Sequence, residues 1–325
     1  MAGATYSQFI KPEIIESILG KEWINQAKIF SAGLADNQGA LPGEGNAITT
    51  LYNNILVDES AQVLGIDDPI AVNPKTQASG TIYSVRRFNA VKINDEQRQE
   101  ESKAAEGNAF ASIMGGIGAA GLQYLDATMR AVIVGATGAL TKNTQDSSGS
   151  VITDPTPIID ARTKIGDRQN LLDAGAIIVS SAVYGKLLKL GVAAMTANTY
   201  GAELQNAIVK TGQLPTNIVG LTPIIADQSE FAISGGKYSC YLVGRNALGF
   251  KGDTAPYIEI ARDAQRRADV AYFGLRYAIG VKGMSFTPTT GEKIADSELA
   301  TTAKWTNKLT DDKHIPLVKL ILKIS

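Results

Sequence analysis

A single stretch of amphipathic sequence, residues 108–141, limits the possible folds of this chain more than any other feature. Its apolar residues recur mostly every three or four positions, which places them on one stripe of an α-helix. A helix of about 30 residues is roughly 45 Å long, far above the usual length of about 11–12 residues. We therefore predict a helix over about 108–140, capped by Asn108, with Gly135 and Gly138 as stopping signals.

The same stretch contains a sequence that matches the dinucleotide-binding fingerprint G-x-G-x-x-G, at residues 116–121. The fingerprint requires a buried strand that turns into a helix, so that free backbone amides meet a pyrophosphate. The preceding residues are helix-like, and no acidic residue stands about 20 positions later. We interpret Gly115, Gly116, Gly118 and Gly121 as small residues inside a helix. Because each costs about 1 kcal/mol relative to Ala, we expect another backbone or strand to pack closely there.

Composition excludes several classes of protein. The 325 residues are enough for two or three folding units, and the net charge of −1 gives no basic bias for nonspecific nucleic-acid binding. Charged residues make up 19%, which fits a subunit that buries surface in an assembly and also fits a large core. Cys240 is the only cysteine, so an intrachain disulfide is excluded and folding inside a cell is expected. No stretch of 18 apolar residues exists, so we expect no membrane partner.

The residues that usually carry catalysis are scarce. His314 is the only histidine, which excludes histidine-based metal clusters and most nucleophile–base dyads. Gly235-Gly236-Lys237 lacks the glycine and the hydroxyl residue of a phosphate-binding loop. Asp311-Asp312 is an isolated acidic pair, more typical of a turn than of a metal site. We therefore predict no catalytic, cofactor-binding or metal-binding residues, no cofactor and no enzyme activity.

The first 93 residues contain two parts without a core of their own. Residues 1–45 hold a short helix candidate, Pro12–Ile24, followed by a stretch rich in Gly, Asn and Pro, which indicates an N-terminal arm. Residues 46–93 contain two β-prone runs around a long polar stretch, which predicts an extended β-hairpin loop. An isolated hairpin is marginally stable, so we expect it to pack on a neighbour.

One face of the second β-prone run has a mixed character. Tyr83, Val85, Arg87, Asn89 and Val91 share this face if the run is a strand, and they do not mark it plainly as core-facing.

The middle of the chain changes from a helical to an alternating pattern. Asn94-Asp95-Glu96-Gln97 resembles a capping box that opens a short helix before the long one. Residues 141–150 are polar and predict a linker. Residues 151–262 predict an α/β unit with a helix near 158–166 and strands at 176–180, 218–228 and 238–244.

Signals for the ends of elements complete this prediction. In the α/β unit, Ser180 or Ser181 caps a helix that Gly191 ends. Residues 269–281 predict a pair of strands. The apolar run 315–324 predicts a final strand, which must be paired within a sheet because an exposed apolar edge invites aggregation.

The order of these parts resembles that of the major capsid proteins of tailed bacteriophages (Caudoviricetes), which have the Hong Kong 97 fold. The resemblance covers nearly all of the chain, and its most specific signs are four strings in the second half: 177–187 (IIVSSAVYGKL), 220–227 (GLTPIIAD), 241–249 (YLVGRNALG) and 259–264 (EIARDA). The segment 299–317, with Trp305 and Ile315-Pro316, is similar to the family's C-terminal strand region. Gly280-Val281-Lys282-Gly283 departs from the family, where His-Pro often precedes a basic residue and Gly.

The resemblance implies an α+β fold in four parts: an N-terminal arm (1–45), an extended loop (46–93), a peripheral domain (94–150 and 263–325) built on a spine helix, and an axial domain (151–262). It implies a structural subunit of the virion that assembles with itself, in the host cytoplasm, into hexamers and pentamers of an icosahedral shell around double-stranded DNA, without sequence-specific contacts. It further implies a portal protein, a separate scaffolding protein because the arm starts almost at Met1, and room for a decoration or cement protein.

Two other functions compete with this interpretation. An encapsulin-like compartment shell has the same fold and encloses an enzyme instead of a genome. A nicotinamide-dependent oxidoreductase would use the glycines at 116–121 and is the less favoured of the two.

Overall fold

A computed structural model describes residues 29, 32–39, 41, 47–53, 77–95, 109–154, 156–197, 221–227, 231–252, 257–263, 265, 267–290, 293–309 and 311–325. The predicted helix Pro12–Ile24, the predicted cap Asn108 and residues 96–97 of the predicted capping box lie outside these residues.

The predicted long helix is confirmed and spans Ala109–Ala139, 31 residues. Its second half buries an apolar stripe that includes Leu125, Met129 and Val132 in the larger of two hydrophobic cores. The helix continues through Gly135 and Gly138, so the prediction that these glycines stop it is wrong.

Gly135 and Gly138 are explained by close packing. A Cβ atom on Gly135 would overlap the carbonyl oxygen of Leu299 and lie 2.6 Å from the indole nitrogen of Trp305. A Cβ atom on Gly138 would overlap the hydroxyl of Thr302. The close approach of another backbone, which the sequence predicted near 115–121, is thus found at the other end of the helix; the surroundings of those earlier glycines lie outside the described side chains.

Strands are numbered in chain order among the described residues. They are β1 (Ala35–Asn37), β2 (Ala47–Asn53), β3 (Gln77–Asn94), β4 (Thr144–Val151), β5 (Ala176–Val179), β6 (Thr222–Ile225), β7 (Ala232–Ile233), β8 (Lys237–Val243), β9 (Leu248–Gly252), β10 (Tyr257–Asp263), β11 (Ala268–Val281), β12 (Met284–Phe286), β13 (Trp305–Asn307) and β14 (Leu317–Lys323). The shorter helices are α-helices at Thr156–Thr163, Ser181–Ala197 and Asp296–Leu299 and 3-10 helices at Thr141–Asn143, Gly166–Leu172, Thr302–Lys304 and Asp312–His314.

The first large sheet has the order β1-β9-β11-β3-β2, and β10 pairs with β11. The predicted hairpin is confirmed as the antiparallel pairing of β2 with the first part of β3. The part of this face from Tyr83 to Val85 turns out to be core-facing, since Val85 is buried and Tyr83 packs against the larger core. The long helix packs on this same face, where the Thr128 hydroxyl meets Tyr277, the residue paired with Val85.

Strand β11 is a single strand of 14 residues, so the predicted pair of strands at 269–281 is wrong. Gly274 lies near its middle without a turn. The ring of Phe88 on β3 covers Gly274, at a position where any Cβ atom would overlap the ring. A glycine inside a strand often marks such a close approach.

The second large sheet has the order β4-β14-β8-β5-β6, and β7 pairs with β8. The apolar strand β14 lies between β4 and β8, which confirms that it is paired on both edges. The interpretation of residues 141–150 as a linker is wrong, because β4 forms the parallel neighbour of β14. The pairing uses backbone groups, so a polar sequence at the outside of a sheet satisfies it.

Strand β5 of this second sheet and the helix that follows it agree with the prediction except at the end of the helix. Residues 176–179 form a buried strand, as predicted. The Ser180 hydroxyl accepts a hydrogen bond from the Val183 amide at 3.3 Å, which confirms the predicted cap. The helix continues past Gly191 to Ala197, so that end signal is wrong. The residues after Gly191 are good helix formers, and a glycine lowers helix stability without ending a helix.

Asn143 links the end of the long helix to the last strand. Its buried side-chain amide donates to the carbonyl oxygens of Asp312, Ile315 and Leu317 at 2.8–3.2 Å. The sheets also combine strands from different predicted parts: β4 and β14 join the axial strands, and β9 and β10 join the sheet of β3. The division into four parts stays a prediction.

We expect Gly135→Ala to destabilise the chain by about 1–3 kcal/mol, because the new methyl group overlaps a backbone oxygen that cannot move aside alone. Gly185→Ala is the matched control, since Gly185 lies inside the helix Ser181–Ala197 with no atom within 4 Å of the new methyl group. It should gain up to about 1 kcal/mol. Urea unfolding of the unassembled variants, followed by circular dichroism, measures both; equal effects would contradict the packing explanation.

Candidate functional site

The residues considered above as candidates for binding or catalysis lie in a helix, in turns and in a buried strand of the fold. The helix Ala109–Ala139 contains the whole fingerprint at 116–121, so no strand precedes it and no free amides open toward a ligand. Gly235 and Gly236 form the turn between β7 and β8 with positive φ angles of 77° and 72°. Cys240 is buried, and this burial raises the pKa of its thiol to about 12, which makes it a poor nucleophile.

Asp311, Asp312 and His314 form a turn before β14. The Asp311 side chain caps the 3-10 helix Asp312–His314 by accepting from the Lys313 amide. Asp312 accepts from the Lys142 amide at 3.2 Å and from the Asn307 side chain at 2.8 Å. The His314 ring is half-buried, with Nδ1 3.2 Å from the Asp311 carbonyl oxygen. Within the described ranges, no group of three or more potential metal ligands occurs, and no helix is long and apolar enough to cross a membrane.

The polar centre of the described structure is a junction where four elements meet. The Asp296 carboxylate, at the start of the helix Asp296–Leu299, accepts from the Arg87 guanidinium at 2.5 Å and from the Thr128 hydroxyl at 2.8 Å. Arg87 on β3 also donates to the Ile294 carbonyl oxygen at 2.9 Å. The hydroxyls of Thr128 and Tyr277 are 2.9 Å apart. The junction therefore ties β3 and β11 to the middle of the long helix and to the segment after β12.

The direction of these hydrogen bonds follows from their chemistry. A carboxylate only accepts, so the single Thr128 hydroxyl proton goes to Asp296. The Tyr277 hydroxyl must then donate to the Thr128 oxygen. Burial raises the pKa of Tyr277 to about 12, so this donor keeps its proton at any ordinary pH. The result is a chain of donors that ends on one carboxylate.

The opposite face of the same strands is exposed and aromatic. Residues directly opposite on neighbouring strands share a face, and the register places Tyr257, Gly274 and Phe88 in one row across β10, β11 and β3. Tyr272 lies in the next row. The exposed fractions are 67% for Phe88, 53% for Tyr257 and 44% for Tyr272. Large apolar side chains grouped in the open usually mark a binding surface.

Charged residues lie on both sides of the aromatic row on this face. Arg86 and Arg276 are directly opposite each other in the row on one side of Phe88. Glu259 and Asp263 lie on the other side, on β10. The Tyr257 hydroxyl donates to the Glu259 carboxylate, and this hydrogen bond raises the pKa of Tyr257. We call the set Arg86, Phe88, Tyr257, Tyr272 and Arg276 the aromatic face.

The aromatic face was not predicted from the sequence, although its signal was present. The odd-numbered residues of β3 do not by themselves mark which of its faces meets the core. Because successive side chains alternate in a strand, a core-facing Val85 requires that Arg86 and Phe88 point outward. The other half of the face, on β10 and β11, can be identified only from the register in which these strands pair.

The sequence matches a family model described as phage capsid protein over residues 78–289. A search of curated proteins found no match.

The fold is similar to that of solved structures from several bacteriophages. One is a chain from Mycobacterium phage Adephagia, with 13% identity, coverage of 98% of this chain and 94% of that chain, and a TM-score of 0.54. Another, from the acidic stable capsid structure of Helicobacter pylori bacteriophage KHP30, has 9% identity, 92% coverage of both chains and a TM-score of 0.54. A third, from the capsid structure of the cyanophage P-SCSP1u, has 14% identity, 75% and 83% coverage and a TM-score of 0.52.

We expect Asp296→Ala to lower the free energy of unfolding by about 1–2 kcal/mol, because it removes the acceptor of a charged and a neutral hydrogen bond that are partly buried. Asp36→Ala removes a comparable ion pair, with Lys282 at 2.8 Å, in which both side chains are more than a third exposed. It should cost no more than about 1 kcal/mol. Urea unfolding distinguishes the two; a larger loss in Asp36→Ala would contradict the role of the junction.

Proposed function

The chain belongs to the family of phage capsid proteins, and from that membership we propose that its copies form the hexamers and pentamers of a closed icosahedral head around double-stranded DNA. The match to the family over residues 78–289 carries this proposal. The chain is accordingly a major capsid protein, a structural subunit of the virion shell with the Hong Kong 97 fold.

The described structure supports self-assembly on physical grounds. The hairpin has only two strands from its outer end, where Asn53 pairs with Gln77, to Ser84, where β11 begins to pair with β3. Two-stranded ribbons are marginal alone, so this part of the hairpin would gain stability when another subunit covers it. The aromatic face adds a second surface that gains stability when it is covered.

The competing functions are not favoured. An encapsulin-like shell shares the fold, but the family match is to phage capsid proteins. The oxidoreductase requires the fingerprint at a strand-to-helix turn, and here it lies inside a helix. The family indicates a structural role rather than catalysis.

The finer features of this function are further proposals. We propose that the chain is divided into an arm, an extended loop, a peripheral domain and an axial domain. We also propose assembly in the host cytoplasm with a separate scaffolding protein and a portal protein, and packaged DNA that is held without sequence-specific contacts. The exposed aromatic face leaves room for a decoration or cement protein as well.

We expect the purified protein to form large closed shells or rings, because its aromatic face, where Phe88 is 67% exposed, is covered only in an assembly. Sedimentation velocity combined with electron microscopy measures this directly. A stable monomer or dimer, both with and without a coexpressed scaffolding protein, would contradict the proposed function.

We expect replacement of residues 58–76 by a Gly-Ser linker of equal length to block shell assembly while the chain stays folded. The replaced segment lies between the paired parts of β2 and β3, so both strands and their hydrogen bonds remain. Circular dichroism and thermal unfolding test the fold, and electron microscopy tests assembly. Intact particles would show that the loop makes no essential contact between subunits.

A further inference from the structure

We propose that Lys237, Lys319 and Lys323, on the second large sheet, bind the phosphate backbone of double-stranded DNA. We call these three residues the lysine face. The inference rests on the proposed function, because a head that encloses double-stranded DNA brings this polyanion against its subunits. It names the residues of the chain that contact the DNA.

The lysine face lies on the side of the sheet that points away from two of the helices. The even-numbered residues 318–322 of β14 belong to a hydrophobic core that they share with the helices Thr156–Thr163 and Ser181–Ala197. Because successive side chains of a strand alternate, Lys319 and Lys323 point to the opposite side. On β8, Lys237 is the direct partner of Lys323 and therefore shares its side of the sheet.

The three lysines lack a bonded partner in the described part of the chain. All three are half-buried, and none of them forms a hydrogen bond or an ion pair there. Lysine is rarely buried unless it is paired. Like charges directly opposite each other, as in Lys237 and Lys323, also destabilise a sheet. An anion over these side chains would relieve both costs.

One acidic side chain, Asp146, shares this side of the sheet. It is the only acidic residue in β4, β7, β8 and β14, and it pairs with Ile321, between the two lysines of β14. Hydrogen bonds from Ser148, with a smaller contribution from the charge of Lys237, hold the pKa of Asp146 below its ordinary value. These strands thus place three positive charges and one negative charge on one side, a local excess in a chain with a net charge of −1.

The spacing of the lysines suits a regular line of phosphates. Lys319 and Lys323 are four residues apart, which is about 13 Å along a strand. Lys237 lies about 5 Å to one side of Lys323. Each strand of a DNA duplex carries one phosphate per about 3.4 Å of helix axis, so several phosphates fall within this length in any register. Lysine is a point charge on a flexible stem, so it follows phosphates without a fixed orientation.

The apolar side chains around the lysines favour DNA over an acidic protein segment. Ile321 is half-buried, and Ile233 and Val151, which pair with Lys237 and Lys323 on opposite sides, are each 36% exposed. The two exposed side chains are separated by the lysines and form no continuous apolar patch. Protein–protein contacts have an apolar centre, whereas protein–DNA contacts are more polar and more positively charged. The lysine face therefore supplies charge without an apolar anchor.

Salt-dependent DNA binding by the unassembled full-length protein tests the inference. Fluorescence anisotropy of a labelled random duplex of about 25 base pairs is measured from about 20 to 150 mM KCl, where each neutralised phosphate contributes about −0.9 to the slope of log K against log salt concentration. The triple variant Lys237→Gln, Lys319→Gln and Lys323→Gln should lower the affinity about tenfold or more at about 50 mM KCl and make the slope less steep by about 2 to 3. Lys319→Gln alone should make it less steep by about 1.

A second triple variant, Lys164→Gln, Lys186→Gln and Lys189→Gln, is the matched control because it removes the same charge from the helical side of the sheet. Lys186 and Lys189 lie in the helix Ser181–Ala197, and Lys164 directly follows the helix Thr156–Thr163. This variant should keep the affinity within about twofold and the slope unchanged. Circular dichroism and thermal unfolding check the fold; the variant of the lysine face should be no less stable than wild type, because it removes a repulsion within the sheet.

Competition with poly-L-glutamate distinguishes DNA from an acidic protein as the ligand. The polymer should displace the duplex only at about tenfold higher concentration of charge. A duplex carries one charge per about 1.7 Å of axis, whereas an extended polypeptide carries at most one per about 3.3 Å.

Equal losses from the two triple variants, or a wild-type chain that does not bind the duplex at low salt, would overturn the inference. Displacement by poly-L-glutamate at an equal concentration of charge would overturn it as well and assign the lysine face to an acidic protein. A wild-type chain that forms closed shells but fails these tests would leave the proposed function in place without the inference. A wild-type chain that binds DNA as expected but never forms shells would contradict the proposed function and keep the lysine face as a DNA-binding surface.

Discussion

The close approach between the long helix and residues 294–305 is the contact on which the rest of the structure depends. Two glycines, Gly135 and Gly138, remove side chains from the helix so that the Leu299 carbonyl and Trp305 can lie against its backbone. The Trp305 indole donates to the Leu299 carbonyl oxygen at 2.7 Å, which satisfies both buried groups at once. Trp305 also packs against Phe286, with ring centroids 5.0 Å apart. The chain after β11 is thereby fixed against the helix.

This fixed segment positions the polar junction. Because Leu299 is held, the preceding helical turn brings Asp296 to the helix beside Thr128. Asp296 in turn accepts a hydrogen bond from Arg87, so the orientation of β3 relative to the helix depends on a carboxylate 209 residues later in the chain. A change at Gly135 or Gly138 is therefore expected to affect β3, although the nearest neighbours of these two glycines are Leu299, Thr302 and Trp305.

The features predicted correctly from the sequence are those that local periodicity determines. The long helix, the buried strand at 176–179, the Ser180 cap and the pairing of the last strand follow from patterns within about 30 residues of sequence. What failed depends on distant partners. Gly135 and Gly138 were predicted to end the helix because only their contacts with Leu299, Trp305 and Thr302, far along the chain, show their purpose. Residues 141–150 were predicted to be a linker because the strand that pairs with them lies at the other end of the chain.

The two faces of β3 separate stability from assembly. Tyr83, Val85 and Arg87 point toward the core and the junction, whereas Arg86 and Phe88 point to the outside. Substitutions at Val85 and Arg87 should thus differ in kind from substitutions at Arg86 and Phe88: the first pair changes the unfolding of a single chain, and the second changes how chains associate. The resemblance between capsid families identifies the fold but not this alternation, because register and burial are properties of the individual chain. Strand β3 is 18 residues long because its first part pairs with β2 in the hairpin and its second part pairs with β11 in the large sheet.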